Sequence, residues 1–229
     1  KQGKLNEAAE IYRNGLTRKP DHVETYNNLG TVLKNQNRFD EAIANYKRAI
    51  SLKPDYAEAY YNLANSYRGQ RRLDDALENY CKAIDSNPMH VEALNNLGVT
   101  LKEQGRLDEA LLIHNRVIRL RPDYAEAHNN NGIVLQELGM LREALKAFDK
   151  AIVSKPDYAE AHFNRSMALL LAAQFDEAWP EYEWRLRTKT YGLRTFQQSK
   201  WDGSLLDGQT IFVHSEQGLG DTIQFVRYL

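Results

Sequence analysis

The sequence predicts an all-α solenoid of 34-residue helix-turn-helix units, and three observations carry that expectation. Pro20, Pro54, Pro88, Pro122 and Pro156 stand 34 residues apart. Between them, small residues recur in fixed places: Gly30, Ala64, Gly98, Gly132 and Ser166 in the first half of each unit, Ala42, Ala76, Ala110, Ala144 and Ala178 in the second. Small side chains at constant positions are what close helix-helix packing demands. Apolar residues also recur at helical spacing, with Tyr26, Leu29, Gly30 and Leu33 forming one stripe that must bury against its neighbours.

Aligned on the prolines, the chain divides into a half unit, 1–19, and five full units, 20–53, 54–87, 88–121, 122–155 and 156–189. Each full unit reads as two antiparallel helices. Asp21 with Glu24, Asp55 with Glu58, Asp123 with Glu126 and Asp157 with Glu160 have the spacing of capping boxes, which would open the first helix at the aspartate. Met89 breaks the pattern in the third full unit. The second helix begins near Arg38-Phe39-Asp40-Glu41-Ala42 and runs to Leu52, where the next proline stops it.

Composition narrows the function. A formal net charge of -1 with 27% charged residues gives neither a nucleic-acid field nor a basic membrane face. No run reaches the ~18 apolar residues of a membrane span and no signal-peptide core opens the chain, so it reads as cytoplasmic. One cysteine, Cys81, excludes an internal disulfide and a cysteine zinc site. His22, His90, His114, His128, His162 and His214 have no metal-ligand spacing, and His128 and His162 fall in the aromatic core column. No Walker loop or Gly-x-Ser-x-Gly occurs, and no cofactor is implied for the chain itself. The first residue is Lys1, and KLNEAAEIYRNGLTRKP starts halfway through the repeat, which suggests a piece of a longer protein.

The 34-residue period with aromatic-x-x-Leu-Gly-x-x-Leu, Ala, aromatic, Ala and Pro resembles the tetratricopeptide repeat family over residues 1–189. The resemblance implies a right-handed superhelical stack whose first helices line a concave groove, and a role in binding peptides or protein segments there.

One column does not belong to the core. Asn28, Asn62, Asn96, Asn130 and Asn164 recur every 34 residues. At about 100° per residue each lies about 160° from the small packing residue of its unit. These five are the candidate peptide-binding residues, because a carboxamide can pair with a backbone N–H and C=O together. The bland alternative is that they solvate the face or bond locally between neighbouring helices. Asn is a mediocre helix former, and Lys, Glu or Gln would solvate a helix at lower cost. The ladder, with PDYAEAHNNNG and YNNLGTVLK, resembles the repeat region of O-linked N-acetylglucosamine transferase, where asparagines hold a peptide backbone. The lysine-rich carboxylate clamp of chaperone-binding relatives is not matched, since the preceding position holds Asn27, Tyr61, Asn95, Asn129 and Phe163.

The last unit departs from this plan. Arg165 replaces the core Leu, and Met167, Leu170 and Leu171 take columns held elsewhere by residues such as Asn65, Lys34, Lys102 and Glu103. Such an apolar end suits burial against another domain, and a terminal repeat with an exposed face could also self-associate. Pro180 should kink or delay the second helix. Beyond it, residues 190–208 read as a linker and 209–229 as strand, Gly-rich loop and helix start. The string W-D-G-(x)4-G-(x)5-H-x-E-Q-G-L-G-D-T-I-Q-F-x-R-Y-L, from Trp201, resembles the start of heptosyltransferase-like glycosyltransferase domains fused to such repeats. That resemblance implies an acceptor or phosphate loop at Gly218 and Gly220, with Asp221 as catalytic base, and a nucleotide-sugar donor for the longer protein. Asp221 could equally be a helix N-cap. Three functions fit: a groove presenting an extended segment to a glycosyltransferase, repeats that target a glycan-modifying enzyme, or a non-enzymatic assembly scaffold.

Overall fold

The computed structural model describes residues 2–188, and among them it contains eleven α-helices, one 3-10 helix and no strand. Helix α1 (Gln2–Arg18) is followed by five pairs: α2 (Val23–Asn35) and α3 (Phe39–Leu52), α4 (Ala57–Gly69) and α5 (Leu73–Ser86), α6 (Val91–Glu103) and α7 (Leu107–Leu120), α8 (Ala125–Glu137) and α9 (Leu141–Ser154), α10 (Ala159–Leu171) and α11 (Phe175–Tyr182). The all-α solenoid is therefore correct, and α3 has the bounds read from its sequence. The linker and the strand-loop-helix expected beyond residue 188 lie outside the described residues.

The capping boxes are not formed. First helices begin two residues after each aspartate, with His22, Tyr56, His90, Tyr124 and Tyr158 as N-caps. The physical reason is the proline turn: Pro54 and Asp55 are the central residues of a β-turn closed by the Tyr56 N–H donating to the Lys53 carbonyl at 3.2 Å. The aspartate is thus spent on the turn, while Glu58 still sits in the first helical turn, where negative charge is favoured. The unit without an aspartate is the one with a side-chain cap, as His90 Nδ1 accepts from the Ala93 N–H at 3.4 Å.

First helices end in a uniform way. In α2 the Asn37 N–H bonds the Lys34 carbonyl at 2.9 Å and the Arg38 N–H bonds the Leu33 carbonyl at 2.9 Å, the two bonds of a Schellman motif. The residue that must turn left-handed is Asn37, Arg71, Gly105, Gly139 or Ala173, with φ of 61°, 62°, 75°, 77° and 57°. Only two of the five are glycine.

The small-residue columns make the core. Ala42, Ala76, Ala110, Ala144 and Ala178 are fully buried, as are Ala64 and Ser166. The tight crossing is measured by what a methyl would meet: a Cβ on Gly30 would stand 2.6 Å from the Tyr46 ring, one on Gly132 2.6 Å from Phe148, and one on Gly98 2.7 Å from His114. Each first helix packs on its own second helix and on the second helix before it; α2 also meets α4, α6 meets α8, and α8 meets α10, while no two successive second helices pack to a like degree. The first helices therefore form the inner, closer-spaced layer, and their outward face is the concave one.

The last pair departs as expected. Pro180 lies inside α11, which lasts 8 residues against 14 for α9, and the chain continues as a 3-10 helix, Glu183–Arg187. A proline has no N–H to give the preceding turn, so the helix tightens and stops.

Candidate functional site

The concave face is built by residues at fixed places on α2, α4, α6, α8 and α10. Of the asparagine column, Asn28 is exposed there and Asn96, Asn130 and Asn164 are partly accessible, whereas Asn62, expected on the same face, is buried between helices, and four of the five already donate through Nδ2 within the fold. Asn62 Nδ2 donates to Asn27 Oδ1 at 3.1 Å and to Glu58 Oε1 at 3.3 Å. Asn96 Nδ2 donates to Asn65 Oδ1 at 2.9 Å and to the Tyr61 hydroxyl at 3.4 Å. Asn130 and Asn164 each donate to the preceding unit, to Asn95 Oδ1 at 3.1 Å and Asn129 Oδ1 at 2.9 Å. Asn28 is exposed and makes no side-chain hydrogen bond among the described residues.

The local bonding between helices that the sequence allowed is therefore present in four of the five units. Three of the four links end on the preceding column, which the sequence reading used only to exclude a lysine clamp, and the fourth ends on Asn65. Asn27, Asn95 and Asn129 are buried, and each donor stands 35 residues after its acceptor in three of the links. That spacing of one repeat plus one residue was available in the sequence as a signal.

Beside the ladder runs a charged seam. Arg68 Nη2 lies 2.6 Å from Glu103 Oε1, and Lys102 Nζ 3.4 Å from Glu137 Oε1, so each cation is paired with a carboxylate one unit on. Glu103 Oε2 is buried without a hydrogen bond, 3.9 Å from Arg71. Asn65, Arg68, Gly69, Arg71 and Glu103 surround a shallow, open depression of about 290 Å³. Lys34, in the matching place on α2, makes no ion pair within 4.0 Å among the described residues but feels the Glu58 carboxylate; burial pulls its pKa down, with the Glu58 charge opposing.

Histidines serve structure. His128 and His162 are buried, and their Nε2 atoms lie 2.8 Å and 2.9 Å from the carbonyls of Pro122 and Pro156, which ties each first helix to its proline turn. His114 fills the aromatic slot with neither ring nitrogen hydrogen-bonded, and burial, then Lys102, push its pKa down to about 4. His90 is held above the usual range by Glu58, 3.4 Å from Nε2, with Glu92 adding to the effect. No group of three or more His, Cys, Asp or Glu able to hold a metal occurs among the described residues. Gly218, Gly220 and Asp221 lie outside them.

In the last unit Arg165 is only partly buried, bonded to Asp149 at 2.7 Å and near Glu181 and Glu177 at 3.6 and 3.7 Å. His162 stacks on Trp184 at 3.9 Å between ring centroids. Met167, Leu171, Phe175 and Trp179 are exposed by 38%, 62%, 52% and 55%, the densest set of exposed large apolar side chains among the described residues.

Stacked helix pairs with an ordered concave face define a helical-repeat interaction module. Residues 32–70 match the family model described as TPR repeat, and residues 61–125 and 129–184 the one described as Tetratricopeptide repeat, together more than half of the chain. The chain belongs to the tetratricopeptide repeat family. Among solved structures it is similar to YrrB, a TPR protein with an unusual peptide-binding site, at 24% identity and a TM-score of 0.62, covering 80% of this chain and 94% of YrrB. It is similar to MamA at 26% identity and a TM-score of 0.63, covering 69% and 93% of the two chains. A chain of the APC/C hetero-tetramer Cut9-Hcn1 superimposes with a TM-score of 0.72 at 19% identity, covering 83% of this chain and 38% of that one. No curated protein matches the chain in sequence. No helix of the described residues is long and apolar enough to cross a membrane.

Proposed function

We propose that the chain captures an extended polypeptide segment along its first-helix face, with the carboxamides of Asn28, Asn96, Asn130 and Asn164 meeting the ligand backbone and the buried Asn62 serving the fold. The observation that carries this reading is how the carboxamides are held. Four are fixed by bonds to the preceding unit through Nδ2; Asn62 among them is buried, and the partly accessible Asn96, Asn130 and Asn164 keep their Oδ1 atoms as oriented acceptors at one-repeat intervals. Packed helices lie about 8–10 Å apart and an extended chain advances about 3.3–3.6 Å per residue, so one Asn meets about every third ligand residue. YrrB, whose fold this chain shares, has a peptide-binding site of its own, and a ligand of that class fits the face described above.

The test separates binding from folding. Asn28 supports nothing in the fold, and Asn130 and Asn164 each give one bond to it, whereas Asn62 and Asn96 give two. The Asn28→Ala/Asn130→Ala/Asn164→Ala variant is expected to keep its helical circular dichroism and to bind an unstructured, fluorescein-labelled peptide about tenfold or more weakly, at about 0.5–1.5 kcal/mol per hydrogen bond. Unchanged affinity sinks the ladder reading, and binding confined to helix-forming peptides points to a scaffold.

The tail supports a second part of the proposal. On the string from Trp201 to Leu229, residues 209–229 open a heptosyltransferase-like domain to which the groove presents its ligand, with Asp221 as the base and Gly218 and Gly220 in the acceptor or phosphate loop. In a protein that carries such a domain complete, Asp221→Asn is expected to abolish transfer from a nucleotide-sugar and to leave peptide binding unchanged.

A further inference from the structure

The inner layer of first helices is not evenly joined. α2 packs on α4, α6 on α8 and α8 on α10, whereas α4 and α6 pack less closely. The sequence supplies the reason. At three of the four junctions the residue before the asparagine column is Asn27, Asn95 or Asn129, a short side chain that accepts the bond from the next unit. At the α4–α6 junction it is Tyr61, a longer one, whose hydroxyl meets Asn96 at 3.4 Å and whose ring lies 4.9 Å from that of His90. Polar bridges span this junction at three levels: Arg68 Nη2 to Glu103 Oε1 at 2.6 Å near the C-terminal ends, Asn96 Nδ2 to Asn65 Oδ1 at 2.9 Å in the middle, and His90 Nε2 to Glu58 Oε2 at 3.4 Å near the N-terminal ends. The guanidinium at one end keeps its charge at every pH a protein meets, and the imidazole at the other does not.

His90 stands between two settings. Its Nδ1 lies 3.4 Å from the Ala93 backbone nitrogen, a donor, and 3.4 Å from Glu92 Oε2, an acceptor, and it can serve one of them at a time. A bare Nδ1 caps α6. A protonated Nδ1 turns to Glu92 while Nε2 donates to Glu58, so that one imidazolium joins carboxylates of two successive units. At 3.4 Å none of the three contacts is a tight hydrogen bond, and either set can close. In the same column His22 pairs with Glu24 of its own unit at 3.6 Å, and Tyr56, Tyr124 and Tyr158 fill the other places. The groups around the ring are Glu58 and Tyr61 from α4 and Glu92 from α6 itself. Lys34 of α2 acts on Glu58, Arg121 at the end of α7 pairs with Glu92 at 3.3 Å, Tyr124 at the start of α8 feels Glu92, and from α5 Tyr80 approaches Tyr61 at 6.2 Å.

From this arrangement we infer that His90 is a pH-operated clasp on the concave face: as an imidazolium it draws Glu58 and Glu92 together and closes the N-terminal edge of the α4–α6 junction, and as a neutral ring it returns to capping α6 and lets that edge widen about the Arg68–Glu103 end. The Glu58 hydrogen bond, against burial, holds His90 above its ordinary range, and the same bond holds Glu58 below the usual carboxylate range, so the clasp is closed in the interval between the two and opens as pH rises through that of His90. Asn28 and Asn96 stand on opposite sides of the junction, so the clasp also sets the interval between carboxamides that meet a peptide, a consequence that rests on the groove reading above.

The experiment uses the whole 229-residue chain with Cys81→Ser and spin labels on Asp55→Cys and Met89→Cys, two exposed turn positions that flank the N-terminal edge of the junction. Double electron–electron resonance is expected to give a mean distance about 2 Å longer at about pH 9 than at about pH 6, the size of a helix shift at a packed interface. His90→Asn keeps a good N-cap and carries no charge, so it should hold the longer distance at both pH values, an outcome that loss of folding cannot imitate. Labels on Asp123→Cys and Asp157→Cys, which flank the α8–α10 junction with its tyrosine caps, should show no shift. Equal distances at the two pH values, or a shift of the same size in His90→Asn or in the Asp123/Asp157 pair, would overturn the clasp. The affinity for a fluorescein-labelled extended peptide should follow the Asp55/Met89 distance. A distance shift with unchanged affinity upholds the clasp and counts against the groove reading.

Discussion

The second and fifth units are written on one 34-residue plan and are held together by different forces. In the second, Tyr80 is fully buried and its hydroxyl donates to Asn65 Oδ1 at 2.6 Å, while Ala64 and Leu63 close the crossing. In the fifth, Tyr182 takes the place of Tyr80 and is only half-buried, Arg165 takes the place of Leu63, and Pro180 cuts the second helix short. What apolar burial does in the second unit is done in the fifth by an ion-pair hub on Arg165 and by the His162–Trp184 stack. One period in the sequence therefore does not imply one energetic design along the stack.

The comparison breaks most readily at the aromatic slot. Tyr80→Ala is expected to cost about 3–5 kcal/mol and Tyr182→Ala less than half of that, read by urea denaturation. Equal losses would show that the fifth unit is as well packed as the second.

Next comes pH. His114 is buried, its folded pKa of about 4 lies below the ordinary 6.5, and the unfolded chain therefore binds its proton more readily. Its contribution is intact above pH 6.5 and is lost as pH falls toward 4, by roughly 2–3 kcal/mol. His114→Phe, which copies Phe148 of the following unit, should remove that part of the acid loss while the carboxylate part remains. His90 works in the opposite sense, since a raised pKa gives stability that fades as pH rises through it. Identical acid profiles for His114→Phe and the unaltered chain would contradict the burial argument.

A smaller effect sharpens the contrast in the fifth unit. Arg165→Met should cost about 1.5 kcal/mol at low ionic strength and less in 1 M salt. The equivalent site, Leu63, should show no such salt dependence when changed to Met. Smallest is the left-handed turn: Ala173→Gly should stabilise by about 1 kcal/mol, and Gly139→Ala should destabilise by a similar amount, in thermal melts.

Most of the fold was legible because a period of 34 residues repeats every packing contact five times. Ala42 and its four successors, and the start and stop of α3, could be read directly. The helix caps were misplaced by one residue, because an Asp after Pro looks the same as a cap or as the third residue of a turn until the turn closes. The left-handed positions were hidden at Arg71 and Ala173, where no glycine marks them. In the candidate site the Asn28 column was visible and its use was only half visible. The links to Asn27, Asn95 and Asn129 run from one repeat to the next at 35 residues, a spacing that a search for exact 34-residue columns passes over.

The central claim is that the face grips backbone through oriented carboxamide oxygens. It is tested most directly by titrating the chain with one labelled extended peptide and with the same peptide N-methylated at every third residue, in the three possible phases. One phase removes the N–H groups that meet the asparagines and is expected to weaken binding at least tenfold, while at least one other phase leaves it nearly unchanged. Equal affinity in all three phases would contradict the account.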